Sequence, residues 1–213
     1  MKIEEGKTRL TVQHKGKNLT FIYPKFKGIY FYLQEQIERV NLKCPTMSQT
    51  VSLIHDVFNS EEEYSKEIKK LMKNSWFYTF TGNLYVPNKG VYIQDNPKTK
   101  NWGILMEESE LVKKLEKNDS SVRFVPFGFK IGEMSTLELA KNQYIIGLVG
   151  EEGANKLAEI ADKYKPYLWS FKKVNEKSTK ISVLDFGKVF DDNLGINGLR
   201  GVCSSGYAFG IQE

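Results

Sequence analysis

The chain has 213 residues, 40% of them apolar, with 11 Tyr and 13 Phe, which is enough to bury a core without disulfides or metals. A net charge of +5 is spread over a Lys/Glu-laced background with only four arginines (Arg9, Arg39, Arg123, Arg200), which argues against a histone-like or phosphate-clamping protein. Cys44 and Cys203 form no C-x-x-C pair, no apolar run reaches membrane-spanning length, and the charged N-terminus has no signal-peptide core; a single cytoplasmic domain over residues 1–213 is expected.

In chain order, Leu10–His14 and Asn18–Tyr23 alternate like strands around Lys15-Gly16-Lys17, a hairpin signal. Residues 29–40 read as a helix or a buried strand. Met47, Val51, Ile54 and Phe58 recur at helical spacing behind Pro45. Ser60-Glu61-Glu62-Glu63 fits a capping box ahead of a helix carrying Tyr64, Ile68, Leu71 and Met72. Ser75–Thr81 is β-like, and Leu84–Val86 with Gly90–Ile93 flank a turn at Pro87-Asn88-Lys89. These hairpins and two helices occupy residues 1–100.

In residues 101–213, a short helix is expected from Ser109, a strand over Val122–Pro126, and a second capping box at Ser135–Glu138. Tyr144–Leu148 reads as a buried strand and Glu151–Tyr164 as an amphipathic helix. Strands follow at Tyr167–Val174, Lys180–Asp185 and Tyr207–Ile211. Helices in the middle and strands at both ends predict an α+β fold whose terminal strands pair in one sheet.

Familiar chemistry is missing. Gly147, Gly150 and Gly153 are spaced G-x-x-G-x-x-G with no Lys-Ser/Thr after them, and Glu151 and Glu152 would repel a phosphate from the helix start. His14 and His55 read as structural or surface residues, and no zinc-protease or serine-elbow pattern is present. Asp191-Asp192-Asn193-Leu194-Gly195 hints at a calcium loop, but Ile196 stands where that loop needs Gly and Val202 where it needs Glu. Cys203, or a carboxylate group of Asp185, Asp191 and Asp192, could serve an enzyme only if something oriented it, and nothing in the sequence does. No catalytic residue, metal or cofactor is expected.

From Val189 to Tyr207 the chain reads VFDDNLGINGLRGVCSSGY, punctuated by Gly195, Gly198, Gly201 and Gly206. No period of 2 or 3.6 is kept, which predicts exposed loops, and the mixture of aromatic, hydroxyl, amide and small residues suits a contact surface. The segment contains no Lys, Glu, Gln, Met or Trp, although these make up more than a quarter of the chain. Those five types cannot arise when the first two bases of an AAC or AAT codon are randomised, so adenine-directed mutagenesis of Asn codons would leave this signature.

Gly198-Leu199-Arg200-Gly201-Val202-Cys203 resembles the end of phage variable proteins made by diversity-generating retroelements. Gly206-Tyr207-Ala208-Phe209-Gly210-Ile211 and the stretch Gly82–Pro97 resemble archaeal members of the group. The segment departs from many members in lacking repeated Trp-Asn pairs, and Lys188 interrupts the residue-type signature just upstream. The resemblance implies a C-type lectin fold, with an antiparallel sheet, flanking helices and paired termini. It also implies a non-enzymatic protein that binds a protein or other macromolecule through variable residues near the C-terminus. Carried onto this sequence, within residues 181–210, the candidate contacts are Asp185, Phe186, Val189, Phe190, Asp191, Asp192, Asn193, Ile196, Asn197, Leu199, Val202, Ser204, Ser205 and Tyr207. The glycines and Arg200 would be scaffold. The alternative is a mildly basic nucleic-acid-binding domain that stacks bases on Trp76, Phe77, Tyr78 and Phe80.

Overall fold

The computed structural model describes residues 3–4, 7–186 and 193–212. Strand β1 (Ile3–Glu4) precedes a hairpin of β2 (Lys7–His14) and β3 (Lys17–Gly28). Lys15 and Gly16 both take positive φ, 50° and 72°, the primed turn that matches strand twist. Helix α1 (Tyr30–Arg39) buries Tyr30, Leu33 and Ile37. Helix α2 (Met47–Phe58) starts at a true capping box: Gln49 N–H donates to Thr46 Oγ1 at 3.3 Å, and Thr46 N–H donates to Gln49 Oε1 at 2.8 Å. Helix α3 (Glu63–Asn74) leads into β4 (Trp76–Val86), β5 (Gly90–Asp95) and the small hairpin β6 (Lys98–Lys100) and β7 (Gly103–Leu105). Then come α4 (Glu108–Glu116), β8 (Val122–Pro126), β9 (Gly132–Glu133), α5 (Thr136–Lys141) and α6 (Gln143–Ala161). The chain closes with β10 (Lys165–Trp169), β11 (Ser178–Phe186), β12 (Asn193–Arg200) and β13 (Gly206–Gln212).

Among the described residues, eleven strands form one sheet in the order β1-β2-β3-β13-β4-β11-β12-β10-β9, with β5 pairing β4 and β8 pairing β5. Strand β13 lies antiparallel to β3, with Ile211 opposite Phe21, and parallel to the start of β4, with Gly206 opposite Trp76. The C-terminal strand therefore closes against the N-terminal hairpin, as the order of elements predicts.

Helices cover both faces of this sheet. On one, α2, α3 and α6 pack Met47, Ile54, Ile68 and Leu148 against Phe77, Leu184, Phe186, Leu194, Ile196 and Phe209. On the other, α1 packs Tyr30, Leu33 and Ile37 against Tyr78, Phe80, Ile181, Val183 and Ala208. A smaller cluster joins α4, through Leu111, to Leu84, Tyr92, Met106 and Val122. Among the described residues, no helix is long and apolar enough to cross a membrane.

Three local expectations change. Tyr144–Leu148 is helical, because Asn142 Oδ1 accepts the N–H groups of Tyr144 and Ile145 at 3.0 and 3.3 Å and caps α6. Its buried residues Tyr144, Ile145, Leu148 and Val149 follow helical spacing, and Gly150 (φ 77°) kinks the helix before its second arm. The Ser60 capping box does not form: the cap position is Glu62, and Ser60 Oγ instead accepts Glu62 N–H at 3.2 Å in the preceding turn. The strand expected over 167–174 is displaced towards Lys165 and stops at Trp169.

Candidate functional site

The C-terminal segment is built on β12, which lies between β11 and β10 inside the sheet. The expectation of exposed loops fails here. Residues 193–196 are all buried, since a strand covered on both faces has no polar side to reveal. That is why no period of 2 appeared in its sequence. The two ladders of β11 shift register between Ile181 and Val183, one against β12 and one against β4. Ser182, at that irregularity, accepts Asn83 Nδ2–H on Oγ at 2.8 Å and Thr79 Oγ1–H on its carbonyl at 2.8 Å.

From this point a buried polar network reaches β12. Tyr85 Oη–H donates to the Gly198 carbonyl at 3.1 Å, and Asn83 Nδ2–H approaches the same oxygen at 3.4 Å. Tyr144 Oη–H donates to Asn83 Oδ1 at 3.0 Å, and the Tyr85 and Ser170 hydroxyls pair at 2.9 Å. Burial pushes the Tyr85 hydroxyl up to about 12 and raises the Tyr144 hydroxyl well above its ordinary range, so both remain neutral hydrogen-bonding groups. A Cβ at Gly198 would stand 2.9 Å from Tyr85 Oη and 3.0 Å from Tyr144 Cζ, so the network fits only over glycine.

Residues 201–205 then cross from β12 to β13 on the face that carries α1. The Val202 carbonyl accepts Tyr30 N–H at 3.3 Å, and the Ser204 carbonyl accepts Tyr78 Oη–H at 2.6 Å. Burial raises the Tyr78 hydroxyl above its ordinary range and keeps it a donor. Arg200 lies with its guanidinium 4.0 Å from the Trp76 ring centre, a cation–π contact that braces the start of the crossing.

The candidate contacts separate into three groups. Phe186 and Ile196 are core residues, and Asp185 and Asn193 are buried as well, so these four do not present side chains to a partner. Asn197, Leu199, Val202, Ser204 and Tyr207 are half-buried, and Ser205 is exposed beside exposed Gly201 and Cys203. Val202 packs on the α1-side core and Tyr207 on the opposite one, so these two do not share a face. Val189, Phe190, Asp191 and Asp192 lie outside the described residues.

The base-stacking platform of the alternative reading is corrected by the same packing. Phe77, Tyr78 and Phe80 are at most 1% exposed, and the Trp76 ring is occupied by Arg200. Cys203 is an exposed free thiol and Cys44 a buried one whose burial raises it far above its ordinary range. Among the described residues, no group of three or more His, Cys, Asp or Glu could hold a metal ion.

Sequence reasoning missed two polar features away from this segment. His14 Nδ1 meets Ser52 Oγ at 3.0 Å, where Lys156 Nζ–H also donates at 3.0 Å while pairing with Glu152 at 2.7 Å. A cavity of about 800 Å³ lies between β2 and the α2–α3 pair, bordered by Arg9, Thr11, His55, Asp56 and Glu62, with no lining residue from the C-terminal segment. Neither feature had a spacing signal, because its residues come from distant parts of the chain.

No protein-family model and no curated protein matches the chain. Among solved structures, it is similar to a protein from Nanoarchaeota, described as accommodating massive sequence variation by the C-type lectin fold. The superposition has a TM-score of 0.60 at 14% sequence identity and covers 94% of this chain and 100% of that one. Identity that low over such coverage means shared architecture built from different residues. The paired termini, central sheet and flanking helices of this chain are a C-type lectin fold.

Proposed function

We propose that the chain is a non-enzymatic ligand-binding protein that displays a sequence-diversified C-terminal surface on its C-type lectin scaffold, and that its ligand is a protein or other macromolecule. One observation carries this reading: the path of residues 198–204 is held at the main-chain oxygens of Gly198, Val202 and Ser204, while Cys203 and Ser205 turn outward. The side chains of Cys203 and Ser205 can change without removing those bonds, and a rigid backbone presents them at low entropic cost. The residue types absent from Val189–Tyr207, and the massive sequence variation described for the Nanoarchaeota protein on this fold, support the same reading. The proposed contact surface is centred on Asn197, Ser204 and Ser205, and Val189, Phe190, Asp191 and Asp192 are assigned to it from the sequence alone.

Two measurements test it. Random substitution of Cys203 and Ser205 should keep the melting temperature within about 2 °C of the parent, as exposed positions do. A large loss for most substitutions would make the segment structural and sink the proposal. DNA beside the gene should carry a near-copy of codons 181–210 that differs only at adenines. A locus without such a copy removes the diversification and leaves a fixed binding surface.

A further inference from the structure

A second surface feature lies outside the C-terminal segment. Trp102 sits in the β6–β7 turn, where Asn101 and Trp102 have φ values of 50° and 60°. Asn tolerates that conformation; a bulky aromatic is strained by it. Burial does not offset the strain, because Trp102 is 62% exposed. What Trp102 gains is contact with α1: the Phe31 and Tyr32 rings each stand 5.7 Å from it, at 84° and 85°.

The three rings border an open cavity of about 340 Å³ together with Glu35, Thr99, Lys100 and Asn101. Aromatic faces are electron-rich and attract cations, most strongly over Trp. Glu35 follows Phe31 by four residues and Tyr32 by three, which puts its carboxylate on their side of the helix. Its partner Arg39, at 2.8 Å, is an exposed ion pair of the kind that exchanges readily, with side chains 60% and 74% exposed.

We propose that Phe31, Tyr32, Trp102 and Glu35 form an aromatic cage for an ammonium cation, with a trimethylammonium group as the fitting class. A primary ammonium holds its water tightly and needs several acceptors to leave it. A trimethylammonium group needs none, spreads its charge over methyl surface, and matches a cavity lined by three aromatic rings and one carboxylate. Lys100 at the rim opposes any cation, so the site binds weakly as it stands. The cage shares no residue with the C-terminal segment, so its failure leaves the proposed function untouched.

The test titrates choline into the full chain and follows the Trp102 indole N–H by NMR. The controls are dimethylbutanol, in which carbon replaces the charged nitrogen, and adenosine monophosphate as a stacking ligand. Choline should shift the Trp102 signal saturably and bind about tenfold more tightly than dimethylbutanol. Tyr32→Leu and Glu35→Gln should each weaken choline binding several-fold, and Lys100→Ala should tighten it, with circular dichroism unchanged in all three. Equal binding of choline and dimethylbutanol would make the site merely apolar and overturn the proposal. So would a Trp102 signal that answers to the nucleotide and not to choline, or to neither.

Discussion

Across the β11–β12 ladder, the carboxylate of Asp185 lies over Gly195, so close that a Cβ on the glycine would stand 2.6 Å from Asp185 Cγ. Asp185 is 3% exposed, so it cannot swing into solvent to make room. Gly195→Ala should therefore destabilise the chain by about 2 kcal/mol, seen as a melting temperature several degrees lower. Ser205→Ala, at an exposed position, is the control and should melt like the parent. Coincident melting of both variants with the parent would mean that the carboxylate yields freely.

The buried network at Gly198 makes a separate prediction. Tyr144→Phe removes the hydroxyl that donates to Asn83 Oδ1 and leaves that oxygen buried without its donor. The expected loss is about 1–3 kcal/mol, read as a lower urea midpoint with an unchanged slope. A midpoint within error of the parent would show that Asn83 finds another donor.

Arg123 of β8 anchors a network that reaches β5, α6, β4 and α2. It pairs with Asp95, with Nη2 at 3.2 Å from Oδ1, and donates to the carbonyls of Gly147 and Leu148 at 2.8 and 3.3 Å, which end the first arm of α6. Asp95 Oδ1 in turn accepts Thr81 Oγ1–H at 2.9 Å, and Thr81 Oγ1 accepts the N–H that opens α2 at Met47, also at 2.9 Å. Side chains 26% and 20% exposed screen the pair in part. Arg123→Met should still cost on the order of 2 kcal/mol, because it strands Asp95 and two carbonyls together. Adding Asp95→Asn should recover part of the loss in a double-mutant cycle; strict additivity would mean that the two residues act separately.

His14 gives the fold a pH dependence. Burial, then the charges of Lys15 and Lys156 against the opposing Glu152, hold its pKa below the ordinary value of 6.5. The unfolded chain takes up the proton near 6.5 and the folded chain only at lower pH. Stability from this residue is thus complete above about 6.5 and declines as pH falls below that value, until the folded pKa is passed. Thermal melts from about pH 7.5 to about pH 5 should show that decline flattened in His14→Gln. An identical decline in the variant would assign it to the carboxylates.

Much of the frame could be read locally. The hairpin turn at Lys15-Gly16 and the capping box at Ser135–Glu138 are short-range signals, and each forms where its residues call for it. The capping-box pattern at Ser60 shows the limit of such motifs, because the backbone there turns before the helix starts. Tyr144–Leu148 reads as a buried strand from its own residues, and Asn142, just upstream, caps it into a helix instead. Strand β12 is illegible for a deeper reason: it is covered on both faces, and Gly198 answers to side chains far away in sequence. Gly198 accepts from Tyr85, 113 residues earlier, a relation with no period to detect.

The crossing from Arg200 to Gly206 is fastened by a helix amide on Val202 and a tyrosine hydroxyl on Ser204, and both fasteners grip carbonyl oxygens. Every amino acid brings that same oxygen. The two bonds therefore survive any replacement of the exposed side chains at Cys203 and Ser205, whereas Val202 and Arg200 are also tied down through their side chains. On the proposed reading, new surfaces can arise at Cys203 and Ser205 without compensating changes in the core.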